Sequence, residues 1–150
     1  MSKRPAVTTK ETHFVRDHCL CLAAQRAARA LSRRFDEAFR PFGITSGQFS
    51  LLNALNRLEP PPLGAVARLL AMDRTTLTAN LKPLERRGLV APVADPRDRR
   101  VRRLALTPTG REVLAEALPV WRTVHAEIDL SVPNAEDGGR TLREGLAALL

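Results

Sequence analysis

Two adjoining segments of this 150-residue chain carry side chains that could bind a polyanion. Residues 74–103 contain nine basic and three acidic side chains, a net charge of +6 against +8 for the whole chain. Guanidinium and ammonium groups bind phosphates, and short hydroxyl side chains can hydrogen-bond the edges of bases. The side chains of these kinds are Arg74, Thr75, Thr76, Thr78, Lys82, Arg86, Arg97, Arg99 and Arg100. Their pattern predicts contact with double-stranded DNA.

A helix over residues 74–87 would separate these side chains from the apolar ones. Leu77, Leu81 and Leu84 fall within about 60° of one another on a helix of 3.6 residues per turn, so they should face the core. The opposite face then presents Thr75, Ala79, Lys82 and Arg86, with Thr78 at its edge. We therefore expect this face to meet the base edges of a major groove.

Both ends of that helix carry local signals. Asp73 is a favourable N-cap, and Gly88 fits the left-handed position after the last turn. If the amides of Arg74, Thr75 and Thr76 are free, the first turn should attract a phosphate group.

Two short β-strands are predicted after this helix, at residues 89–93 and 101–106. The turn between them begins with an Asp-Pro pair, which is typical of turns. An arginine-rich tip on such a hairpin fits a narrow minor groove, where the negative potential is enhanced. Asp98 would repel phosphate, so we interpret it as a structural partner that holds Arg100.

Helices are predicted on both sides of this unit. Residues 13–40 contain no Gly or Pro and repeat apolar side chains at helical spacing, which predicts one helix long enough to pack on another subunit. Thr45 begins the next helix with a capping box, Thr107 begins a later one, and Asn134 can cap the last. The fold class is therefore mainly α with a small β-hairpin (α+β), a winged helix-turn-helix with long terminal helices.

Four motifs in this order resemble the MarR family of bacterial transcription regulators. They are DRTTLT at residues 73–78, LERRGLV at 84–90, DPRDRR at 95–100 and LTPTG at 106–110. The resemblance covers about residues 13–130 and implies a homodimeric repressor that binds a palindromic operator. It also implies a single domain with a mobile arm, a dimerisation helix, a winged unit and further dimerisation helices, at residues 1–12, 13–43, 44–106 and 107–150.

The family resemblance further implies that a small molecule or the oxidation of a thiol releases the DNA. An aromatic or acyl effector would bind between the dimer helices and the winged unit. Arg16 or Arg26 could pair with its anionic group. Trp121 and His125 share a helix face, so dimer packing is the alternative role for both. The residues that could line the pocket are Phe14, Arg16, His18, Phe49, Trp121 and His125.

Cys19 and Cys21 leave thiol oxidation open as the alternative trigger. The segment around Cys21 is similar to that around the reactive cysteine of the organic-hydroperoxide-sensing branch of the family. Gln25, however, stands near the position of an activating tyrosine, and the chain contains no tyrosine. On a regular helix the two cysteines point about 200° apart, so they should neither pair nor share a metal. The competing interpretation is that both are small buried apolar residues.

The sequence argues against several other classes of protein. It lacks the Gly-x-Ser-x-Gly, Gly-rich phosphate-loop and His-Glu-x-x-His motifs of common enzymes, and we predict no cofactor and no metal. No apolar run approaches the ~20 residues of a membrane span and the N-terminus is polar, so we expect a cytoplasmic protein. A nonspecific nucleic-acid-binding protein is a distant alternative, although aromatic residues, at 4%, are few for stacking on single strands.

Overall fold

The computed structural model describes residues 6–133 and 135–150. In chain order the helices and strands are α1 Thr9–His18, α2 Leu20–Phe39, α3 Ser46–Leu55, α4 Leu63–Leu69, α5 Arg74–Arg86, β1 Val90–Val93, β2 Arg103–Leu106, α6 Pro108–Ser131 and α7 Arg140–Ala147. Short 3-10 turns lie at Arg40–Phe42 and Ala135–Asp137. The described chain is mainly helical with one two-stranded hairpin, which confirms the predicted fold class. Across the described ranges, no helix is both long and apolar enough to cross a membrane.

Side-chain caps begin three helices where the sequence predicts them. At α3, the Thr45 hydroxyl accepts a hydrogen bond from the Gln48 amide at 3.2 Å, and the Gln48 side chain accepts one from the Thr45 amide at 3.0 Å. Asp73 caps α5 and Thr107 caps α6, each by accepting from the amide three residues later. Gly88 follows α5 with a left-handed φ of 66°. A cap contributes about 1 kcal/mol, so local sequence decides these boundaries.

Helix α3 lies at the centre of the core, where it contacts α2, α4, α5, α6 and β2. The leucine stripe that the sequence predicts for α5 is buried, since Leu77, Leu81 and Leu84 are at most 3% exposed. Burying one leucine stabilises the fold by about 2 kcal/mol, so this stripe fixes the rotation of α5 on the core. The largest fully buried side chains are Phe39, Leu51, Leu52, Leu55, Leu81, Leu84, Leu89, Leu104 and Val66.

Both strands of the hairpin are shorter than predicted, and a third segment, at Pro62, bridges to the second strand. Its strands are antiparallel, with Val93 opposite Arg103. The second strand begins two residues later than predicted, because the Val101 amide donates to the Asp98 carbonyl at 3.0 Å and continues the turn. Pro62, just before α4, forms an isolated antiparallel bridge with Arg103. The hairpin is therefore attached to the segment that leads into α4.

The predicted continuous helix over residues 13–40 is wrong, because the chain breaks at Cys19. This residue has a ψ of 103°, an extended conformation that ends α1 and begins α2. Its amide donates to the Val15 carbonyl at 2.8 Å, and its Sγ accepts from the Leu22 amide at 3.4 Å. Cys19 therefore caps both helices, a role that the absence of Gly and Pro concealed.

The N-terminal helix begins inside the predicted mobile arm of residues 1–12. Thr8 and Glu11 form a reciprocal capping box, so α1 starts at Thr9. The sequence contains this signal, but its helix is polar and buries no side chain, so apolar periodicity did not reveal it. Residues 1–5 of the predicted arm lie outside the described residues.

The last helix begins later than predicted. Gly138 and Gly139 both adopt left-handed φ values, which end the preceding turn and delay α7 to Arg140. Asn134, the predicted N-cap, lies outside the described residues. The two glycines therefore decide the start of this helix.

Gly110→Ala should destabilise the protein strongly. A Cβ atom at residue 110 would lie inside contact distance of the Leu89 carbonyl oxygen, which also accepts the Thr107 amide. Overpacking costs about 1–3 kcal/mol, so the free energy of unfolding in a urea titration should fall by that amount. Gly145→Ala is the matched control, because nothing lies within 4 Å of a Cβ there and alanine favours a helix. Equal stabilities of the two variants would contradict the packing of α6 on Leu89.

Candidate nucleic-acid interface

The outward face of α5 carries the polar side chains that the sequence predicts for it. Residues on this face are exposed, except Thr78, which is half-buried at its edge. The leucine face of α5 is buried in the core, so the polar face points to solvent along the whole helix. Hydroxyl and ammonium groups in this arrangement can donate hydrogen bonds to base edges in a major groove. The exposed residues are Thr75, Ala79, Lys82 and Arg86.

The first turn of α5 is less open than predicted. The Asp73 carboxylate accepts hydrogen bonds from the Thr76 amide and from the Thr76 hydroxyl, each at 2.8 Å. These bonds, the amide bond first, hold the pKa of Asp73 below its ordinary value. The expectation of a free Thr76 amide is therefore wrong, because the N-cap carboxylate occupies it.

The wing, defined as residues 90–106, carries its arginines on an exposed tip. Arg97, Arg99 and Arg100 are all exposed, and the Arg100 side chain is 95% exposed. Asp98 accepts a hydrogen bond from the Arg100 amide at 2.9 Å, and its Oδ1 lies 3.7 Å from Arg100 Nε. Asp98 therefore shapes the turn around Arg100 while the guanidinium group stays in solvent.

The carboxylate that organises the wing is Asp95, which the sequence pattern did not predict as a site residue. Its side chain is only 4% exposed. It accepts hydrogen bonds from the amides of Asp98 and Arg97, at 2.9 and 2.8 Å, and pairs with Arg103. These bonds, that of the Asp98 amide first, lower the pKa of Asp95 from 3.8 to about 2. The Asp-Pro pair that begins the turn is the signal that could have identified it.

The nine basic residues of segment 74–103 divide into two groups. Arg87 donates to the Phe42 carbonyl at 3.0 Å, and Arg102 pairs with Glu85 at 2.6 Å. With Arg103, which is held inside the wing, these arginines serve the fold. The other six point outward and, apart from the loose contact of Arg100, pair with no described residue: Arg74, Lys82, Arg86, Arg97, Arg99 and Arg100.

An open cleft joins α5 to the wing. Its volume is about 390 Å³, and Arg74, Thr78 and Arg100 are among the residues that line it. Two guanidinium groups and a hydroxyl from two different elements therefore lie along one surface. This surface can bind phosphates and base edges at the same time.

Comparison with known proteins identifies this arrangement. The model of the MarR family matches residues 42–101. The transcriptional regulator MosR of M. tuberculosis, solved in complex with DNA, is 39% identical with a TM-score of 0.78, and the match covers 88% of this chain and 93% of MosR. This chain belongs to the MarR family. It is therefore a transcriptional regulator with a DNA-binding winged helix.

Two further transcriptional regulators are similar to the chain. CouR, a transcriptional repressor solved with a 23-mer DNA duplex, is 30% identical with a TM-score of 0.76 over 97% of this chain and 99% of CouR. BadR, a transcriptional activatory protein of Rhodopseudomonas palustris, is 36% identical over 109 residues. That match covers 69% of this chain but spans only 61% of the length of BadR. These relatives are transcriptional regulators rather than enzymes.

The MarR-family chain also has an open apolar groove at α3, α4 and α6. The groove has a volume of about 510 Å³ and is lined by Phe49, Ser50, Asn53, Ala54, Arg57, Leu69, Leu70, Leu118 and Trp121. The ring centroids of Phe49 and Trp121 are 6.3 Å apart, and those of Trp121 and His125 are 4.7 Å apart. The structure thus brings three of the six predicted pocket residues into one aromatic cluster. Of these three, Phe49 and Trp121 line the groove, whereas His125 packs on Trp121 outside its lining.

The other three predicted pocket residues lie on α1 and do not line the groove either. Phe14 is 62% exposed and stacks on His18 with a centroid distance of 4.1 Å. Arg16 pairs with its neighbour Asp17 at 2.6 Å. Because α1 buries none of its side chains in the protomer, these residues are not brought to the groove.

The two cysteines of this MarR-family chain are free, and Cys21 is exposed, not buried as a small apolar residue would be. Gln25 Nε2 donates to Cys21 Sγ at 3.3 Å, and Arg29 donates to Gln25 Oε1 at 3.2 Å. Cys19 is half-buried and not helical, so the angular separation expected on a regular helix does not apply to the pair. Within the described ranges, no three His, Cys, Asp or Glu side chains are grouped as a metal site.

Asp95→Asn should remove an acid-sensitive part of the stability. Because the folded pKa of about 2 lies below the ordinary 3.8, ionised Asp95 stabilises the fold above about pH 4. This contribution is lost as the pH falls from about 4 to about 2. In urea titrations the variant should be less stable than the wild type near neutral pH, and the difference should narrow below about pH 4. A difference that stays constant to about pH 2 would contradict the role of the carboxylate.

Proposed function

We propose that this chain is a homodimeric transcriptional repressor that binds a palindromic operator and is released by a small-molecule effector. The observation that carries the proposal is the surface shared by α5 and the wing, with its six outward cations beside exposed threonines. MosR and CouR, which are 39% and 30% identical to this chain, have both been solved with DNA. The match to each covers most of both chains. The MarR family model, which matches residues 42–101, spans α5 and the tip of the wing.

Each element has its own role in this proposal. Helix α5 lies in the major groove, where Thr75, Thr78 and Lys82 contact base edges and Arg74 and Arg86 contact phosphates. Thr76 supports this helix through its bonds to the N-cap. The wing tip reaches the adjacent minor groove with Arg97, Arg99 and Arg100.

A second copy of the chain would cover the apolar side chains that the protomer exposes. Large exposed apolar surfaces on soluble proteins commonly mark interfaces. A two-fold dimer through these helices would place two copies of α5 on one operator. The exposed large apolar residues at the two ends of the chain are Val7, Phe14, Val15, Leu20, Leu142, Leu146, Leu149 and Leu150.

The groove at α3, α4 and α6 is the proposed effector site. Its lining is mostly aromatic and aliphatic, and Asn53 and Arg57 are among its polar residues. Pockets of this composition take small ligands with one polar end. CouR of Rhodococcus jostii RHA1 has been solved with p-coumaroyl-CoA. We assign the groove to an aromatic carboxylate or its thioester, with Arg57 rather than Arg16 or Arg26 as the partner of the anionic group.

Thiol oxidation is the second candidate trigger, favoured by the exposure of Cys21. An organic hydroperoxide would oxidise the Cys21 thiolate to a sulfenic acid and leave as an alcohol. Attack by the Cys19 thiol would then form a disulfide and release water. Because Cys19 caps α2 and Cys21 lies in its first turn, such a bond would alter the start of α2.

Footprinting upstream of the protein's own gene tests the proposal as a whole. A dimeric regulator protects a short palindrome whose half-sites are about 34 Å apart, one helical turn of DNA. Uniform protection without a preferred site would instead support the nonspecific nucleic-acid-binding alternative.

Lys82→Ala and Arg97→Ala should weaken operator binding in different ways. Loss of a base contact by Lys82 should relax the preference at one position per half-site and cost about 1–3 kcal/mol. Loss of a wing contact by Arg97 should weaken binding to all sequences and reduce the slope of log Kd against log salt by about one. Binding to a panel of single-base operator variants at several salt concentrations measures both effects. An unchanged salt slope for Arg97→Ala would exclude its assignment to DNA.

Aromatic carboxylates should change the fluorescence of Trp121, which is the only tryptophan in the chain. Ligand entry into the groove alters the surroundings of the indole, and the same titration should release operator DNA. Arg57→Ala should weaken the ligand about tenfold, because a charge-assisted hydrogen bond is lost. Arg26→Ala, on α2 and outside the groove lining, is the matched control. Equal losses in the two variants, or no fluorescence change with any aromatic acid or thioester, would exclude this site.

Cumene hydroperoxide should lower operator affinity if Cys21 is the trigger. Mass spectrometry of the oxidised protein should then show the loss of two hydrogens, and Cys21→Ser should bind DNA with or without peroxide. Cys19→Ser should stop at the sulfenic acid, which adds one oxygen. Unchanged affinity with both thiols intact would exclude oxidation and leave the ligand as the trigger.

A further inference from the structure

Asp95 is the one charged residue that is buried within residues 6–133 and 135–150. It lies at the base of the wing tip, where every residue from Pro96 to Arg100 is exposed. A buried carboxylate is costly unless hydrogen bonds satisfy it, so its partners determine what it does. Asp95 is therefore a hydrogen-bonded buried carboxylate at the base of residues 96–100, a segment that buries no side chain of its own.

The two oxygens of Asp95 have different partners. Oδ1 accepts the amides of Arg97 and Asp98, which closes the turn at the start of the tip. Oδ2 accepts from Arg103 Nε, at the beginning of β2. One carboxylate thus fixes the conformation of the tip and ties it to the opposite strand of the hairpin.

Arg103 extends this connection out of the wing. Its second guanidinium nitrogen donates to the Pro60 carbonyl, and its backbone bridges to Pro62. The amide of Leu63, the first residue of α4, donates to the Arg102 carbonyl at 3.1 Å. Helix α4 in turn contacts α5. The bonds therefore run from the wing tip through the segment 60–63 to the helices that carry the other half of the interface.

We propose that Asp95 and Arg103 are positioning residues for DNA binding, because they hold the wing tip at a fixed place relative to α5. Neither residue touches DNA in this proposal, which rests on the proposed function of the wing and α5. Their effect is that Arg97, Arg99 and Arg100 reach the minor groove while α5 occupies the major groove. Without the carboxylate the tip would be an exposed arginine-rich loop that pays conformational entropy on binding.

A double-mutant cycle tests this proposal with operator DNA and the full-length dimer. In the wild type, Arg99→Ala should raise Kd about tenfold, because a minor-groove contact is lost. In the Asp95→Asn background the same change should raise Kd by less than about twofold, since the tip no longer holds Arg99 in place. Lys82→Ala, on α5, is the matched control and should have the same effect in both backgrounds. Circular dichroism and thermal unfolding confirm that each variant is folded at the temperature of the assay.

Each result of the cycle has a definite meaning. Equal effects of Arg99→Ala in both backgrounds would overturn the positioning role while leaving the DNA contact intact. A loss of the Lys82→Ala effect in the Asp95→Asn background would also overturn it, because the damage would then extend to α5. If Arg99→Ala has no effect even in the wild type, the wing contact itself fails, and the positioning role fails with it.

A second variant keeps the test independent of the stability of Asp95→Asn. Arg103→Lys retains a cation beside Asp95 but lacks the fork that also reaches the Pro60 carbonyl. It should fold as the wild type does and reduce the effect of Arg99→Ala to between about twofold and tenfold. Arg102→Ala, which removes the neighbouring pair with Glu85, is its matched control and should leave that effect closer to the wild-type value. The opposite order of these two variants would overturn the assignment of Arg103.

Discussion

The burial of three leucines on α5 sets the orientation of everything that this protein can present to DNA. Leu77, Leu81 and Leu84 occupy one stripe of the helix and are almost completely removed from water. A helix has a fixed angular period, so burying one stripe decides which side chains face outward. Lys82 could not turn inward without exposing a leucine, at a cost of about 2 kcal/mol. The chemistry of the outward face is therefore a consequence of apolar packing behind it.

Charge in the segment 74–103 serves two purposes that composition alone does not separate. Arg87, Arg102 and Arg103 are committed to carbonyls and carboxylates of the fold, whereas six other cations remain in solvent. The committed arginines connect the wing and α5 to each other and to neighbouring segments. The net charge of +6 therefore does not reveal which cations are available to DNA and which ones hold the fold together. Exposed cations without partners are the ones for which phosphate can compete without breaking a bond.

The sequence predicts those parts of the fold that depend on local signals. The N-caps at Thr45, Asp73 and Thr107 follow from hydroxyl or carboxylate side chains ahead of an apolar repeat, and the structure has all three. The break at Cys19 could not be predicted in this way, because a thiol cap lacks the usual signature of Gly or Pro. Asp95 was missed for a different reason. Its importance comes from its burial and from its pair with Arg103, which also donates to the Pro60 carbonyl 43 residues earlier. These are properties of tertiary structure rather than of spacing.

In the candidate effector site, too, the sequence predicts neighbours on one helix but not the residues that tertiary structure brings to the groove. Trp121 and His125 share a face of α6, which helical periodicity predicts, and their rings do lie together. The residues of α1 that were predicted beside them stay on the surface of the protomer, since that helix is polar and separated by the break. Arg57 was not predicted, because it follows α3 in a loop with no periodic pattern.

The residues that follow α5 are hydrogen-bonded directly to the residue that precedes α6. Thr107 donates its amide to the Leu89 carbonyl and its hydroxyl to the Gly88 carbonyl, and Gly110 lets the first turn of α6 lie directly against Leu89. A tilt of α6 must therefore carry the end of α5 with it. In the proposed dimer, α6 would therefore link the groove at Trp121 to the distance between the two DNA-binding helices. A ligand that tilts α6 by a small angle would change the spacing that the operator must match.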